Sequence, residues 1–168
     1  LAEMLTDPAR SVDIVSPYFV PGRRFTRRLV QLAAEGCRVR VFTNSQEATN
    51  QLVVHSAYVK YRPALIDGGV QLYEMRASPD RPPEPRTTGS SASHESLHSK
   101  TISVDDEKLF IGSFNFDPRS VFLNTEMGVV IDSPQVARTM TEMLDETLPA
   151  FSYAPARNAR GRIIWRER

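Results

Sequence analysis

The sequence predicts an α/β fold, with a mixed, largely parallel sheet flanked by helices on both faces. Three observations predict it. Apolar residues follow a strand-like and then a helix-like period in turn, giving strand, helix, strand, helix, strand over residues 12–74. Each helix-like run is closed by glycine, at Gly36 and at Gly68-Gly69. Such alternation is what right-handed crossovers between parallel strands produce. Finally, 168 residues suit one domain with a sizeable core, so a single domain over 1–168 is expected.

The elements follow in order. Leu1 to Leu5 read as the end of a helix, and Val12 to Val15 as a short strand. Ser16-Pro17-Tyr18-Phe19 then leaves the strand's carboxyl end, where ligands gather in open α/β sheets. Phe25, Leu29, Leu32 and Ala33 recur at helical spacing from Arg23 to Glu35, leaving Arg23, Arg24, Arg27 and Arg28 on the other, polar faces. Val39 to Phe42 is the second strand, and Thr43-Asn44-Ser45 ends it as Ser16 ends the first. Asn44 is either a site residue there or a turn-forming cap. A helix is expected over Thr49 to Ile66, with Val53, Ala57, Tyr61 and Leu65 along one face and a bend or break at Pro63. His55 lies off that face.

Val70 to Glu74 is the third strand. Residues 76–96 carry Pro79, Pro82, Pro83 and Pro85 and then Thr87-Thr88-Gly89-Ser90-Ser91, too little apolar surface to order itself, so a mobile loop is expected. After a hairpin described below, Met127 to Asp132 is a strand, and Ser133-Pro134 caps a last helix whose buried stripe is Val136, Met140, Met143, Leu144 and Leu148. Residues 151–168 read as a basic tail, with Arg157, Arg160, Arg162, Arg166 and Arg168 against only Glu167. It is either simply solvated or bound to phosphate head groups.

Composition narrows the function classes. A formal net charge of +1 makes no strong case for either nucleic acid or anionic lipid through bulk electrostatics, and nucleic acid is not the expected partner. No run approaches the apolar length of a membrane span and the first residues make no signal peptide, so the piece is expected to be soluble. The lone Cys37 excludes an intrachain disulfide. His55, His94 and His98 share no ligand spacing, so neither a metal nor another cofactor is expected.

The chemistry sits in Leu97 to Glu126. Residues 97–104 and 109–111 read as two strands joined by a tight turn at Asp105-Asp106-Glu107-Lys108. Side chains alternate along a strand, which puts His98 and Lys100 on one side and Asp105 on the other. On the returning strand Ser113 and Asn115 share a parity in the same way. An imidazole, an ammonium, a hydroxyl and a carboxamide can therefore converge. That set suits a phosphate: lysine supplies charge, the neutral groups hydrogen-bond its oxygens, and histidine attacks phosphorus or moves a proton. Glu126, a carboxylate at the mouth of an apolar strand, is the candidate to orient a histidine.

The full spacing is His98-x-Lys100, four residues, Asp105, six residues, then Gly112-Ser113-x-Asn115. It resembles the signature of the phospholipase D superfamily at every position. The continuation Phe116-Asp117-Pro118-Arg119-Ser120 and Asn124-Thr125-Glu126 resembles the second motif of bacterial cardiolipin synthases, and the likeness reaches back to Ser16–Gly22 and Thr43-Asn44-Ser45. The resemblance implies a metal-independent phosphatidyltransferase working through a phosphohistidine. His98 and Lys100 are then catalytic, Asn115 and Ser113 line the phosphate site, Glu126 supports a histidine, Asp105 belongs to the motif in a mainly structural role, and Asn44 and Tyr18 contact substrate. It also implies a phospholipid substrate, peripheral attachment at the cytoplasmic face of the bacterial inner membrane, and a second motif from an N-terminal half or a second copy. Two rival readings are a dimeric single-motif nuclease and a catalytically silent interaction domain.

Overall fold

Strand β1 (Ser11–Val15) is buried along its whole length, because it lies at the centre of the sheet. It pairs in parallel with β2 (Arg38–Asn44), and β2 pairs in parallel with β3 (Gln71–Met75). The computed structural model describes residues 3–77, 97–117, 120 and 125–167, so most of the expected mobile loop, 78–96, lies outside the described residues. Helical crossovers link the three strands: α1 (Gly22–Ala34), then α2 (Leu52–Val59) with α3 (Arg62–Asp67). The chain then returns as β4 (Thr101–Val104), β5 (Lys108–Gly112) and β6 (Gly128–Asp132). Helix α4 (Pro134–Phe151) precedes β7 (Ser152–Arg157) and β8 (Ile163–Glu167).

The sheet order is β6-β5-β4-β1-β2-β3-β7-β8. The α/β class and the mixed sheet are as expected, but the parallel share is smaller: only two of the seven pairings are parallel. Two of the antiparallel pairings, β4–β5 and β7–β8, join strands through tight turns, and strands connected so closely must run antiparallel.

Alternation along the central strands feeds two cores. Val12, Ile14, Val39 and Val41 pack under Leu29, Leu32, Tyr58 and Leu65 of α1–α3. Val15, Phe42 and Tyr73 meet Leu144 and Leu148 of α4 on the opposite face. Asp13, on that second face, is 1% exposed and is gripped by Arg40, whose Nε and Nη2 donate to its two oxygens at 2.6 and 2.9 Å. A buried carboxylate is tolerated here because it is paired on both oxygens.

Three expectations are corrected. The α2–α3 face holds His55, Tyr58, Arg62 and Leu65, while Val53 is 84% exposed, because the helix breaks at Lys60-Tyr61 and polar groups fill the buried side. Pro63 does mark the break, but from within the first turn of α3. In α4 the buried stripe is Ala137, Thr141, Leu144 and Leu148, whereas Val136 and Met143 face out. Thr141 fits because its hydroxyl donates to Asp106 Oδ1 at 2.6 Å. The basic tail is strand β7 and strand β8, which extend the sheet beyond β3, and Arg157 is paired with Asp67 at 2.7 Å.

The β4–β5 turn ties the hairpin to the start of β1. Asp105 and Asp106 have φ of 57° and 56°, a region aspartate tolerates better than most residues. The Asp105 carboxylate accepts from the backbone N–H of Ala9, Arg10 and Ser11 at 2.9, 2.6 and 2.8 Å. Burial pushes its pKa up, but these three donors and the Arg10 charge outweigh that and hold it below the ordinary 3.8. A carboxyl depressed in the folded state contributes stability above its unfolded pKa and loses it as pH falls through the folded value. Asp105→Ala is therefore expected to lower unfolding free energy by about 1–3 kcal/mol at neutral pH. In urea melts the difference from the parent should shrink below pH 3.8 and vanish in stronger acid.

Candidate active site

By register, one end of the sheet collects the carboxyl ends of β1, β2, β3 and β5 and the amino ends of β4 and β6. His98 and Lys100 stand there. The strand expected to start at Leu97 starts at Thr101, and the last rung is the Gly112 N–H donating to the Lys100 carbonyl at 3.1 Å. His98 thus lies just beyond the ladder and is exposed, with Lys100 half-buried beside it. Lys100 Nζ donates to the His98 carbonyl at 2.8 Å. Burial lowers the Lys100 pKa, and the nearby Glu126 carboxylate works against that shift.

Asn44, at the end of β2, replaces the missing rungs. Its Oδ1 accepts from the Leu97 N–H at 2.9 Å, and its Nδ2 donates to the carbonyls of Leu97 and Pro17 at 3.4 and 3.3 Å. The side chain is 2% exposed, so the carboxamide fixes the backbone one residue before His98 from below.

On the other side β5 and β6 meet at Gly112 and Gly128. A Cβ on Gly112 would come within 2.6 Å of the Met127 carbonyl oxygen and 2.7 Å of the Phe110 ring, so only glycine allows this approach. The closeness delivers Ser113 onto Glu126: the hydroxyl donates to Glu126 Oε2 at 2.5 Å and accepts from the Met127 N–H at 3.0 Å. Asn115 follows, half-buried, with its Oδ1 buried and without a hydrogen-bond partner among the described residues. The next residue is anchored: the Phe116 N–H donates to Ser16 Oγ at 3.4 Å, and the Phe116 ring stacks on Phe25 at 5.0 Å. Asn115 is thereby fixed on its chain while one polar atom stays unspent.

The structure places His98, Lys100, Ser113, Asn115 and Glu126 at this one end. Asp105 it does not: at the far end of β4 the residue is about five strand rises from Lys100, roughly 16 Å. Tyr18 lies half-buried on the loop after β1, its hydroxyl donating to Asn50 Oδ1 at 2.6 Å. Beneath it, between Tyr18, Asn44, His55 and Tyr58, is a cavity of about 10 Å³, room for one water and not for a substrate.

Sequence reasoning missed the support under Asn44. Glu74, 1% exposed, forms an ion pair with Arg62 at 2.7 Å and accepts from Tyr58 Oη at 2.9 Å and Trp165 Nε1 at 2.8 Å. The Arg62 guanidinium lies over the rings of Tyr58 and Trp165, and its Nη2 is 3.3 Å from His55 Nε2. Since arginine only donates, that nitrogen of His55 accepts, and the imidazole is neutral. Burial lowers its pKa, with Glu74 and a hydrogen bond to the Asn44 backbone opposing the shift and Arg62 adding to it. Nothing in the local pattern signals this, because Trp165 is 91 positions from Glu74.

Among the described residues no group of His, Cys, Asp and Glu could hold a metal ion, and no helix is long and apolar enough to cross a membrane. The cluster can neutralise an oxyanion with Lys100, hydrogen-bond it through the Asn115 amide N–H and, once the Ser113 hydroxyl turns its proton away from Glu126, through Ser113 as well, and offer the exposed His98 residue for attack or proton transfer.

Comparison with known proteins agrees on the family. A model described as cardiolipin synthase, PLD-like domain, matches residues 1–148, so β7 and β8 lie outside the matched stretch. Cardiolipin synthase C of Escherichia coli (strain K12) is 38% identical over 173 residues, covering 100% of this chain and 36% of that protein. Cardiolipin synthase B of the same strain is 32% identical over 148 residues, with 88% and 31% covered. The chain spans about a third of the length of these curated relatives. Among solved structures, the phospholipase D family member Nuc from Salmonella typhimurium superposes with a TM-score of 0.69 at 19% identity, over 92% of this chain and 87% of that one. Phosphatidylserine synthase of Haemophilus influenzae gives 0.63 at 17% identity, over 90% and 35%. At such identities the likeness is one of fold.

Proposed function

We propose, from the premise that the chain belongs to the cardiolipin synthase, PLD-like domain family, that it supplies half of a site for phosphatidyl transfer. The observation that carries this is the exposed imidazole of His98 just past the end of the ladder, beside Lys100 and across from the Ser113–Glu126 pair. A covalent route needs two imidazoles. One attacks phosphorus, forming an N–P bond as the P–O bond to the departing alcohol breaks, while the second gives the leaving oxygen its proton. The acceptor alcohol then loses its proton to that second imidazole and displaces the first.

His98, in a motif like the second one of cardiolipin synthases, takes the acid–base part, and a histidine from another half is the nucleophile. Lys100, Ser113 and Asn115 hold the phosphoryl oxygens. Glu126 supports an imidazole, and Asn44 acts on His98 through Leu97. Tyr18 stands at the rim, toward the lipid. The substrate is a phospholipid, handled peripherally at the cytoplasmic face of the bacterial inner membrane. A dimeric nuclease is the second reading, favoured by one observation: Nuc, of the same fold, is matched over 87% of its own length. The 38% identity to cardiolipin synthase C supports the lipid reading instead.

The test is phosphatidylglycerol turnover by this chain as a strict monomer and when joined to a half bearing its own His-x-Lys. Turnover is expected only in the joined form. Lipid turnover by the monomer alone contradicts the half-site reading. Chelator-resistant DNA cleavage by a dimer, lost in His98→Ala, would establish the nuclease instead.

A further inference from the structure

We infer that the amino-terminal turns of α1 and α2 form a docking surface for an anionic phospholipid bilayer, which brings the membrane to the same end of the sheet as His98. The inference rests on the lipid reading above and adds the surface that meets the membrane. Both helices start at the site end, since each follows the carboxyl end of a parallel strand, and both pack on the same face. The Tyr18–Asn50 hydrogen bond joins the two starts.

The exposed groups there are of two kinds. Arg23, Arg24 and Arg27 are exposed, make no ion pair among the described residues, and meet no acid in the first turn of α1. Indeed no acidic residue occurs from Ser16 to Ala34, and Glu47 is the one acid on the loop leading to α2. Leu52 and Val53, in the first turn of α2, are 53% and 84% exposed. Two aliphatic side chains are too few for a stable protein interface, which enlists roughly 20–30 residues a side. At the same end of the sheet as the arginines, they suit a bilayer, where apolar groups enter the acyl boundary and cations stay with the head groups. Nucleic acid would use the arginines and leave the aliphatic pair in water.

The experiment measures binding of the protein to vesicles of phosphatidylcholine alone and of equal parts phosphatidylcholine and phosphatidylglycerol. The mixed vesicles should bind more tightly. Arg23→Gln with Arg24→Gln should weaken that binding about 30-fold, from a factor of about five for each cation near an anionic surface. These exposed changes leave circular dichroism unaltered, which separates the result from unfolding. Val53→Cys carrying a polarity-sensitive dye, with Cys37 buried and unlabelled, should shift to the blue on mixed vesicles. Binding by the arginine variant within twofold of the parent, or a dye that does not shift, overturns the inference. So does a DNA oligonucleotide that binds more tightly than mixed vesicles and loses affinity in the same variant. Vesicle binding is read without turnover, and His98→Ala should dock as the parent does. A protein that docks but never turns over lipid contradicts the catalytic reading alone, whereas one that turns over lipid with docking unaffected by the arginine change contradicts only the docking surface.

Discussion

Replacing His98 by alanine is expected to lower phosphatidyl turnover in the joined, two-motif protein about 10²- to 10⁴-fold, the range lost with a positioned acid–base group. Folding should hardly respond. The ring is exposed beyond the last rung of β4 and β5, and surface changes away from structural features stay within about 0.5 kcal/mol. The pairing of lost rate with an unmoved melting temperature is what distinguishes a chemical role from a packing one. A rate within tenfold of the parent would mean that another group moves the proton.

Glu74→Ala should show the opposite pairing first, a large fall in stability. Removing one partner of a buried ion pair leaves the other charge uncompensated and costs about 3–5 kcal/mol. Arg62, itself buried, would lose its carboxylate and be left with Tyr58, Trp165 and His55 among the described residues, and both Tyr58 and Trp165 would lose an acceptor. At about 2–4 °C per kcal/mol for a chain of this size, the melting temperature should drop by roughly 10 °C. Trp165→Phe, which removes one donor and keeps the pair, should cost far less. Equal effects from the two variants would mean that the ion pair is not what holds the C-terminal strands over α2 and α3.

These two residues also show what a sequence discloses and what it conceals. His98, Lys100, Ser113 and Asn115 were legible because their spacing is local to one hairpin, whose short turn brings together the residues flanking its open end. The strand parity expected for them does not apply, since His98 and Lys100 precede β4 and Ser113 and Asn115 follow β5. The β1–β3 half was legible for a similar reason, since period and glycine stops act within a dozen residues. Glu74, Arg62 and His55 were not, because a hydrophobicity pattern assigns charged groups to the surface and cannot see partners drawn from three distant elements. The same blindness turned β7 and β8 into a tail. Their arginines read as solvated, yet Arg157 is neutralised by Asp67, 90 positions away, and Pro155 disguises the strand. Asn44 is an intermediate case: its place at the end of β2 pointed to the site, but its grip on Leu97 spans 53 positions and needed the fold.

The measurement that bears most directly on a shared phosphoryl site is a titration with vanadate or inorganic phosphate, followed through the imidazole resonances of His98 and His55. The expected result is a saturable shift of the His98 ring that Lys100→Ala weakens, while the His55 ring, buried and committed to Arg62, stays where it is. A His98 ring that never responds, in the joined two-motif protein as well as in this chain, would contradict the assignment of these residues to phosphate chemistry.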